Sequence, residues 1–458
     1  MTRHLLGAVL ALCAFLLLEG IAAAATFTPG TPGTGDPFFP LAGNGGYDVA
    51  RYDLELTYEP ASRHLSGTAA VKARATQDLS SFDLDLRGFT VSRVLVNGRA
   101  AQFARDGQEL IVTPAAALQQ GAAFHVTVDY AGTPLVITDP DGSIEGWVPT
   151  DDGAYVVCEP QGAPTWYPAT DDPADKATFE FAVTVPDGLT VMANGVLRSH
   201  KSRDGWTTWR WRERDPMSTY LATAVLGHFE LTEYEIDGIP AYVAIDPQLP
   251  ETEVPAKLPE VIRFFSSVYG PYPFTAAGAV LDRAPAVWYA LETQTKPVFP
   301  DVPDEATFVH ELAHMWFGDS VTLADWPDIW LNEGFGMWSE WIWSERHGGM
   351  TAHEWFRYYY AMPAINSWLW TPPPGDPERP EDLFALSVYL RGAMTLQALR
   401  EKVGDETFFL ALRTWAQQHR FGTVTTPQFI ALAEQLSGID LDTFFRTWLY
   451  DLRRPTVW

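Results

Sequence analysis

The stretch His310–His314, with the sequence HELAH, places two histidines four residues apart, and Glu333 follows after 18 intervening residues. Residues four apart lie on one face of an α-helix, so both imidazoles can point toward the same position. Two neutral imidazoles and a carboxylate form a normal catalytic zinc set, which leaves a fourth position for water. We therefore predict that His310, His314 and Glu333 bind one zinc ion per chain. Glu311 lies between the histidines and is expected to act as a base without being a ligand.

A second glutamate follows the third candidate ligand at a helical spacing. Glu340 lies seven residues after Glu333, which is two turns along and on the same helical face. It can therefore accept a hydrogen bond from the free N–H of a ligand histidine, as metal-binding imidazoles usually require. The alternative interpretation is an ordinary surface glutamate.

The order of hydrophobic patterns predicts an α+β multidomain protein. Apolar residues alternate with polar ones along residues 52–58 and again along residues 124–130, as in strands with one buried face. Asn97-Gly98 between two apolar runs predicts a hairpin turn. We expect a large, mostly antiparallel N-terminal β domain at 26–235, followed by a catalytic domain at 236–458.

After residue 236 the apolar residues recur at helical spacing. The metal-binding helix is expected at 308–317 and the helix that carries Glu333 at 329–346. A helix that contains Leu258 is expected to end at Gly270-Pro271. Residues 368–381 are rich in proline and predict a surface loop. Further helices are predicted at 388–402, 406–419, 427–436 and 441–449.

Residues 1–25 have the pattern of an export signal, with Arg3 before an apolar run and alanines at 22–25 as a cleavage site. The predicted location is therefore periplasmic or extracellular, although an uncleaved anchor is the alternative. A net charge of −27 argues against nucleic acid or an anionic membrane as a partner. We expect no stable membrane association, and the sequence leaves the oligomeric state open.

Around the histidine motif the chain resembles the gluzincin aminopeptidases of peptidase family M1, which include leucyl and alanyl aminopeptidases and the leukotriene hydrolase. The resemblance rests on HELAHMWFGD at 310–319 and WLNEGF at 330–335. Other motifs of the family occur in the family's order over most of the chain, before and after the histidine motif. These landmark motifs are WYP at 166–168, DDP at 171–173, KATF at 176–179, MSTYL at 217–221, YGPYP at 269–273 and YLRGA at 389–393.

The resemblance implies a thermolysin-like zinc catalytic domain and a binding site for the free amine of a peptide. In the family, a Gly-x-Met-Glu-Asn segment binds substrate, and the matching stretch here is YALET at 289–293. Ala290 and Glu292 are thus implied as substrate-binding residues. Tyr289 and Thr293 depart from the family pattern, so we expect the shape of the substrate pocket to differ from that of the family. Glu159 matches the position of a second amine-binding side chain.

Tyr389, in the YLRGA stretch, matches the family's oxyanion donor. A phenol suits this role since it can donate a hydrogen bond to a developing negative charge without carrying charge itself. The expected function is hydrolysis of N-terminal amino acids from peptides through a zinc-activated water. The alternatives are a zinc endopeptidase, an epoxide hydrolase of the leukotriene-hydrolase kind, or an inactive binding homologue. The chain ends at Trp458, soon after the predicted catalytic helices, so we expect the family's additional C-terminal helical domain to be absent.

Overall fold

The computed structural model of the protein describes residues 26–362 and 367–456. The predicted export signal at 1–25 lies outside these described residues. Within them, a β-rich N-terminal part precedes a mixed part with eight α-helices, which confirms the predicted α+β architecture.

An eight-stranded sheet dominates the N-terminal part, and it is antiparallel except where Tyr47–Glu59 runs parallel to Ala177–Pro186. Alternating apolar side chains of these long strands point into the core, as the sequence pattern predicts. Its strands lie in the order Val196–Arg203, Trp206–Met217, Ala177–Pro186, Tyr47–Glu59, His64–Ala75, Ala123–Gly132, Thr90–Val96 and Arg99–Ala100.

The predicted hairpin at Asn97-Gly98 is confirmed. These two residues join Thr90–Val96 to Arg99–Ala100, and Val96 pairs with Arg99 across the turn. Both turn residues have positive φ, 51° for Asn97 and 74° for Gly98, as this tight turn requires.

A second sheet of the N-terminal part has five antiparallel strands. Its strands lie in the order Val136–Thr138, Ile144–Pro149, Ala154–Val157, Ala224–Gly227 and Thr190–Ala193. Three two-stranded pairings complete the strands: Thr28–Pro29 with Leu79–Ser81, Gln102–Asp106 with Glu109–Thr113, and Thr322–Leu323 with Thr423–Val424.

The catalytic part contains a four-stranded sheet in the order Glu230–Ile236, Ile239–Ile245, Ala277–Leu281 and Val298–Phe299. The predicted domain boundary at residue 235 falls inside the first of these strands. That strand pairs with Ile239–Ile245 rather than with the N-terminal sheets. Alternation alone shows that a segment is a strand, but it does not show which sheet the strand joins. The division at 235 stays a prediction.

The helices are α1 Leu258–Tyr269, α2 Glu305–Ala313, α3 Trp330–Arg346, α4 Ala352–Tyr360, α5 Leu386–Val403, α6 Asp405–Gln418, α7 Thr426–Ser437 and α8 Asp442–Phe445. A π-helical turn, Arg446–Tyr450, continues α8, and short 3₁₀ turns occur at Ala163–Thr165, Thr219–Leu221, Val254–Lys257, Trp326–Asp328, Ser367–Leu369 and Pro380–Asp382.

Helix α2 begins and ends earlier than the predicted 308–317. It ends at Ala313, and the chain then turns back so that the amide of Asp319 donates to the carbonyl of His314 at 3.0 Å. Gly318 adopts φ +127° in this turn, a conformation that side chains disfavour. Helix α4 was not predicted from the sequence, although Thr351 and Glu354 form a capping box at its start.

Helices α3 and α5 pack against each other at two glycines. A Cβ atom on Gly334 would lie 3.0 Å from Cα of Gly392, so both positions need the missing side chain for this close approach. The contact brings Tyr389 of α5 beside the α3 residues that follow Glu333. Among the described helices, none has the length and apolar character needed to cross a membrane.

Candidate active site

His310 belongs to α2, and His314 is the residue that directly follows the end of this helix. The two imidazoles lie on the same side. Asp304 caps the helix by accepting a hydrogen bond from the amide of Thr307 at 2.8 Å. Helix α3 presents Glu333 to the same point. Its Oε2 atom lies 3.2 Å from Nε2 of His310 and 3.6 Å from Nε2 of His314. The predicted ligand atoms of these three buried residues all lie within 4.8 Å of one another.

The other ring nitrogen of each histidine is occupied, which orients both imidazoles. Nδ1 of His310 donates to Oε1 of Glu340 at 2.7 Å, and Nδ1 of His314 donates to the carbonyl of Phe317 at 2.9 Å. Nε2 is therefore the nitrogen of each ring that faces Glu333 and the common point. Glu340 thus has the position that its predicted role requires.

The charges of the cluster favour a cation. Burial alone would raise the pKa of Glu333, but the adjacent His314 and His310 lower it to about 2. Burial has the opposite effect on a histidine and would lower the pKa of His314, yet the carboxylates of Glu292 and Glu333 raise this pKa to about 9. A site that attracts protons this strongly also attracts a divalent metal ion, which replaces those protons. Donor types, convergence and charge therefore all fit zinc.

Close packing at the cluster also depends on a residue that the sequence analysis did not single out. A Cβ atom on Gly336 of α3 would lie 2.7 Å from Nε2 of His310 and 3.0 Å from Nε2 of His314. A glycine inside a helix usually destabilises it, so the Gly-x-Gly pattern at 334–336 was a usable signal for such an approach.

Glu311 lies in the cavity that these residues line and is nearly buried, with 7% of its surface exposed. Burial raises its pKa to about 8, while the imidazoles of His310 and His314 offset part of the rise. A carboxylate whose pKa lies near neutrality can both take up and release a proton under working conditions. Glu311 thus lines the same cavity as the predicted zinc ligands, and its role as general base stays a prediction.

Glu159 and Glu292 meet in the same cavity, although they come from different parts of the chain. One oxygen of each carboxylate and one of Glu333 lie within 4.8 Å of one another. Glu159 is 7% exposed and Glu292 is 2% exposed, and Oε1 of each is buried without a hydrogen-bond partner among the described residues. Burial, and then the charge of Glu292, raises the pKa of Glu159 well above its usual range. No lysine or arginine lies beside this pair among the described residues that line the cavity.

Tyr389 projects from α5 into the cavity, where its ring stacks on His310 with centroids 5.9 Å apart. Burial, and then the charge of Glu333, raises the pKa of Tyr389 well above its usual range. Its hydroxyl consequently keeps its proton and remains a donor. Ala290, also implied as substrate-binding, lines the same cavity beside Glu292.

The cavity has a volume of about 360 Å³ and brings together every predicted site residue. It also includes Tyr289, which the sequence analysis noted as a departure from the family pattern. The cavity further includes residues that the sequence analysis did not identify: Asp141, Ser143, Trp288, Thr307, Met337, Phe384 and Leu386. Their membership depends on how distant segments meet, and no local pattern around them indicates it.

Two landmark motifs of the N-terminal part contact the turn after α2. Nζ of Lys176, in KATF, donates to the carbonyl of Asp319 and to Oγ1 of Thr322, both at 2.7 Å. The hydroxyl of Tyr220, in MSTYL, donates to the carbonyl of Gly318 at 3.4 Å. These contacts attach the N-terminal part to the segment that orients His314.

Comparisons with known proteins agree with this arrangement. Residues 49–221 match the Peptidase M1 N-terminal domain, and residues 302–448 match the Peptidase family M1 domain. Aminopeptidase N of Streptomyces lividans is 28% identical over 439 residues, which cover 88% of this chain and 50% of that protein. Glutamyl aminopeptidase of Bos taurus is 24% identical over 89% of this chain and 47% of its own length. The chain spans about half the length of these curated relatives.

Solved structures match over a greater share of their own length. An M1 zinc metallopeptidase from Deinococcus radiodurans has 32% sequence identity and a TM-score of 0.84, with 92% of this chain and 98% of that chain covered. A mutant of that protein bound to a Tyr-Ser-Ala substrate aligns with the same TM-score, 0.84.

Proposed function

The chain belongs to peptidase family M1, and on that basis we propose that it is a zinc-dependent aminopeptidase that removes N-terminal residues from peptides. The observation that carries the proposal is the buried pair Glu159 and Glu292. Each has one carboxylate oxygen without a hydrogen-bond partner among the described residues, no described lysine or arginine lines the cavity, and the pair lies beside a site suited to zinc. A peptide α-ammonium supplies the missing charge, whereas an amide in the middle of a chain does not.

His310, His314 and Glu333 would hold the zinc ion, with Glu340 keeping His310 in the tautomer that leaves Nε2 free. When bound there, zinc supplies Lewis acidity and a water of lowered pKa. The metal set is therefore complete from residues of this chain alone.

The protein groups supply the remaining steps of the reaction. Glu159 and Glu292 accept hydrogen bonds from the substrate ammonium, which fixes the first peptide bond in the cavity. Glu311 accepts the proton of the attacking water on its carboxylate and delivers it to the leaving amine. The Tyr389 hydroxyl donates to the oxygen that becomes negative in the transition state. The chain thus contains a group for each proton and for the developing charge.

The acidic pair also bears on the alternatives. An endopeptidase binds the interior of a peptide, and two buried carboxylates at one end of its site would destabilise that complex. An inactive homologue would not need Glu311 and Tyr389 beside an intact metal set. Aminopeptidase activity is the function that uses all of these groups together.

Chromogenic aminoacyl amides, free and N-acetylated, test the proposal. The protein should hydrolyse the free amides, acetylation should nearly abolish hydrolysis, and a strong chelator should remove activity that added zinc restores. Glu292→Ala should raise KM, lower kcat/KM and reduce the preference for free over acetylated substrates, with zinc content unchanged. Glu251→Gln, at an exposed position outside the cavity, is the matched control. Equal hydrolysis of free and acetylated amides by the wild type would reject the proposal.

We also propose that the protein acts outside the cytoplasm, because residues 1–25 have the pattern of an export signal. The strongly acidic composition supports peptides, rather than nucleic acid or an anionic membrane, as its partners. Cell fractionation with N-terminal sequencing tests the location. A cytoplasmic protein that retains Met1 would contradict it.

A further inference from the structure

One wall of the cavity is a tight turn that joins strand Val136–Thr138 to strand Ile144–Pro149. The amide of Asp139 donates to the carbonyl of Ser143, and the amide of Gly142 donates to the carbonyl of Asp139, both at 2.9 Å. Oδ1 of Asp141 accepts from the amide and the hydroxyl of Ser143, at 2.9 and 2.6 Å. These bonds fix the Asp141 carboxylate in one orientation at the cavity.

The turn lies beside both amine-binding glutamates. On one side, Oε1 of Glu145 accepts from the amide of Gln161 at 3.2 Å, which ties the base of the turn to the loop that carries Glu159. On the other side, the hydroxyl of Tyr289 donates to the carbonyl of Ile144 at 2.9 Å, which ties it to the segment that carries Glu292. Asp141 therefore lines the same cavity as Glu159 and Glu292, on a turn that is hydrogen-bonded to both of their segments.

A second hydrogen bond strengthens this attachment. Nε2 of Gln161 donates to Oδ1 of Asp139 at 2.9 Å, and Arg87 donates in turn to Oε1 of Gln161 at 2.8 Å. Arg87 also donates to Gln108 and does not line the cavity. It is thus held by amide side chains and does not neutralise Asp141.

The surroundings of Asp141 combine negative charge with apolar surface. Oδ2 of Asp141 has no hydrogen-bond partner among the described residues, and none of the described residues that line the cavity is a lysine or an arginine. The walls include Trp288, whose side chain is 71% exposed, and Leu386, which is 57% exposed. Trp288 packs edge-on against Tyr289 with centroids 5.6 Å apart. A long apolar stem with a cationic end fits such a lining.

We propose that Asp141 and Trp288 form the pocket for the first side chain of the substrate and make the enzyme prefer N-terminal arginine or lysine. The inference rests on the proposed aminopeptidase function. Once Glu159 and Glu292 hold the α-ammonium, the side chain on the same Cα atom must enter the neighbouring space. Its cationic end reaches the Oδ2 atom of Asp141, and Trp288 covers its stem.

Arginine and citrulline 4-nitroanilides provide the test, because citrulline has nearly the shape of arginine without its charge. Norleucine serves as the corresponding neutral partner for lysine. The wild type should show kcat/KM for arginine about twofold to fivefold above that for citrulline, the ratio expected of a partly exposed ion pair. Asp141→Asn should reduce this ratio to about one, because kcat/KM should fall more for arginine and lysine than for citrulline and norleucine. Trp288→Ala should lower kcat/KM for arginine and citrulline together.

The Asp141→Asn variant is suited to this purpose because an asparagine oxygen can still accept both bonds from Ser143. Asp106→Asn, at an exposed position outside the cavity, controls for the general loss of one negative charge. Calorimetry with L-arginine and L-citrulline gives the same comparison without turnover.

The outcomes separate this inference from the function on which it rests. Hydrolysis of free amides with equal rates for arginine and citrulline, or an arginine preference that survives in Asp141→Asn, would overturn the inference and leave the aminopeptidase function intact. Failure to hydrolyse any free amide would refute the function, and equal calorimetric affinity for the two amino acids would then reject the pocket as well.

Discussion

Glu340→Ala should weaken zinc binding although Glu340 itself is not a predicted ligand. Its Oε1 atom lies 2.7 Å from Nδ1 of His310, and the glutamate is largely covered by surrounding residues. Removal leaves a nearly buried N–H without its acceptor and lets the imidazole rotate away from the position that Glu333 and His314 share.

The size of the effect follows from this contact. Loss of a hydrogen-bond partner of a ligand histidine costs about 10- to 100-fold in metal affinity, or about 1.4 to 2.7 kcal/mol. We expect Glu340→Ala near the upper end, since the bond is short and no described residue replaces the carboxylate at Nδ1. Glu340→Gln should lie nearer tenfold, because its amide oxygen can still accept from Nδ1 without the negative charge.

Competition with a chelator of known zinc affinity measures the dissociation constant directly, and urea unfolding of the zinc-free protein shows whether the fold is intact. Glu251→Gln again serves as the control for a lost surface charge. An alanine variant that binds zinc within about twofold of the wild type would refute the reasoning and return Glu340 to an ordinary surface role.

Three further variants test individual roles. Glu311→Gln should lower kcat by at least about 100-fold in amide hydrolysis, because the base is lost, yet retain one zinc per chain in elemental analysis; a zinc-free variant would show that Glu311 is a ligand. Tyr389→Phe should lower kcat by about 10²- to 10³-fold with a smaller change in KM, whereas an unchanged kcat would restrict Tyr389 to packing. Gly336→Ala should reduce zinc affinity in the same chelator assay, because its Cβ atom would meet His310 Nε2 at 2.7 Å, and unchanged affinity would contradict the close approach.

The metal cluster was predictable because its residues are separated by the short intervals that place side chains on one face of a helix. The i,i+4 histidine pair and the seven-residue step from Glu333 to Glu340 on α3 follow helical geometry. The structure brings His310, His314 and Glu333 to one point and places Glu340 at Nδ1 of His310. The end of α2 was not predictable from periodicity, since apolar residues continue through Phe317. Backbone bonds of the following turn, including Asp319 to His314, decide where the helix stops.

The substrate side of the cavity was less accessible from the sequence. Glu159 and Glu292 were indicated only by the family resemblance, because 132 residues of chain separate them. Asp141 and Trp288 carried no local signal of a shared site. They line one cavity because distant segments pack together, as the hydrogen bond from the hydroxyl of Tyr289 to the carbonyl of Ile144 shows. Such packing cannot be read from a local sequence pattern.

Zinc titration of the metal-free protein tests the account most directly. Activity on a free aminoacyl amide should rise linearly with added zinc and level off at one zinc per chain, because His310, His314 and Glu333 form one set of ligands. Full activity in protein that contains no bound transition metal would contradict the assignment of this cluster as the catalytic centre.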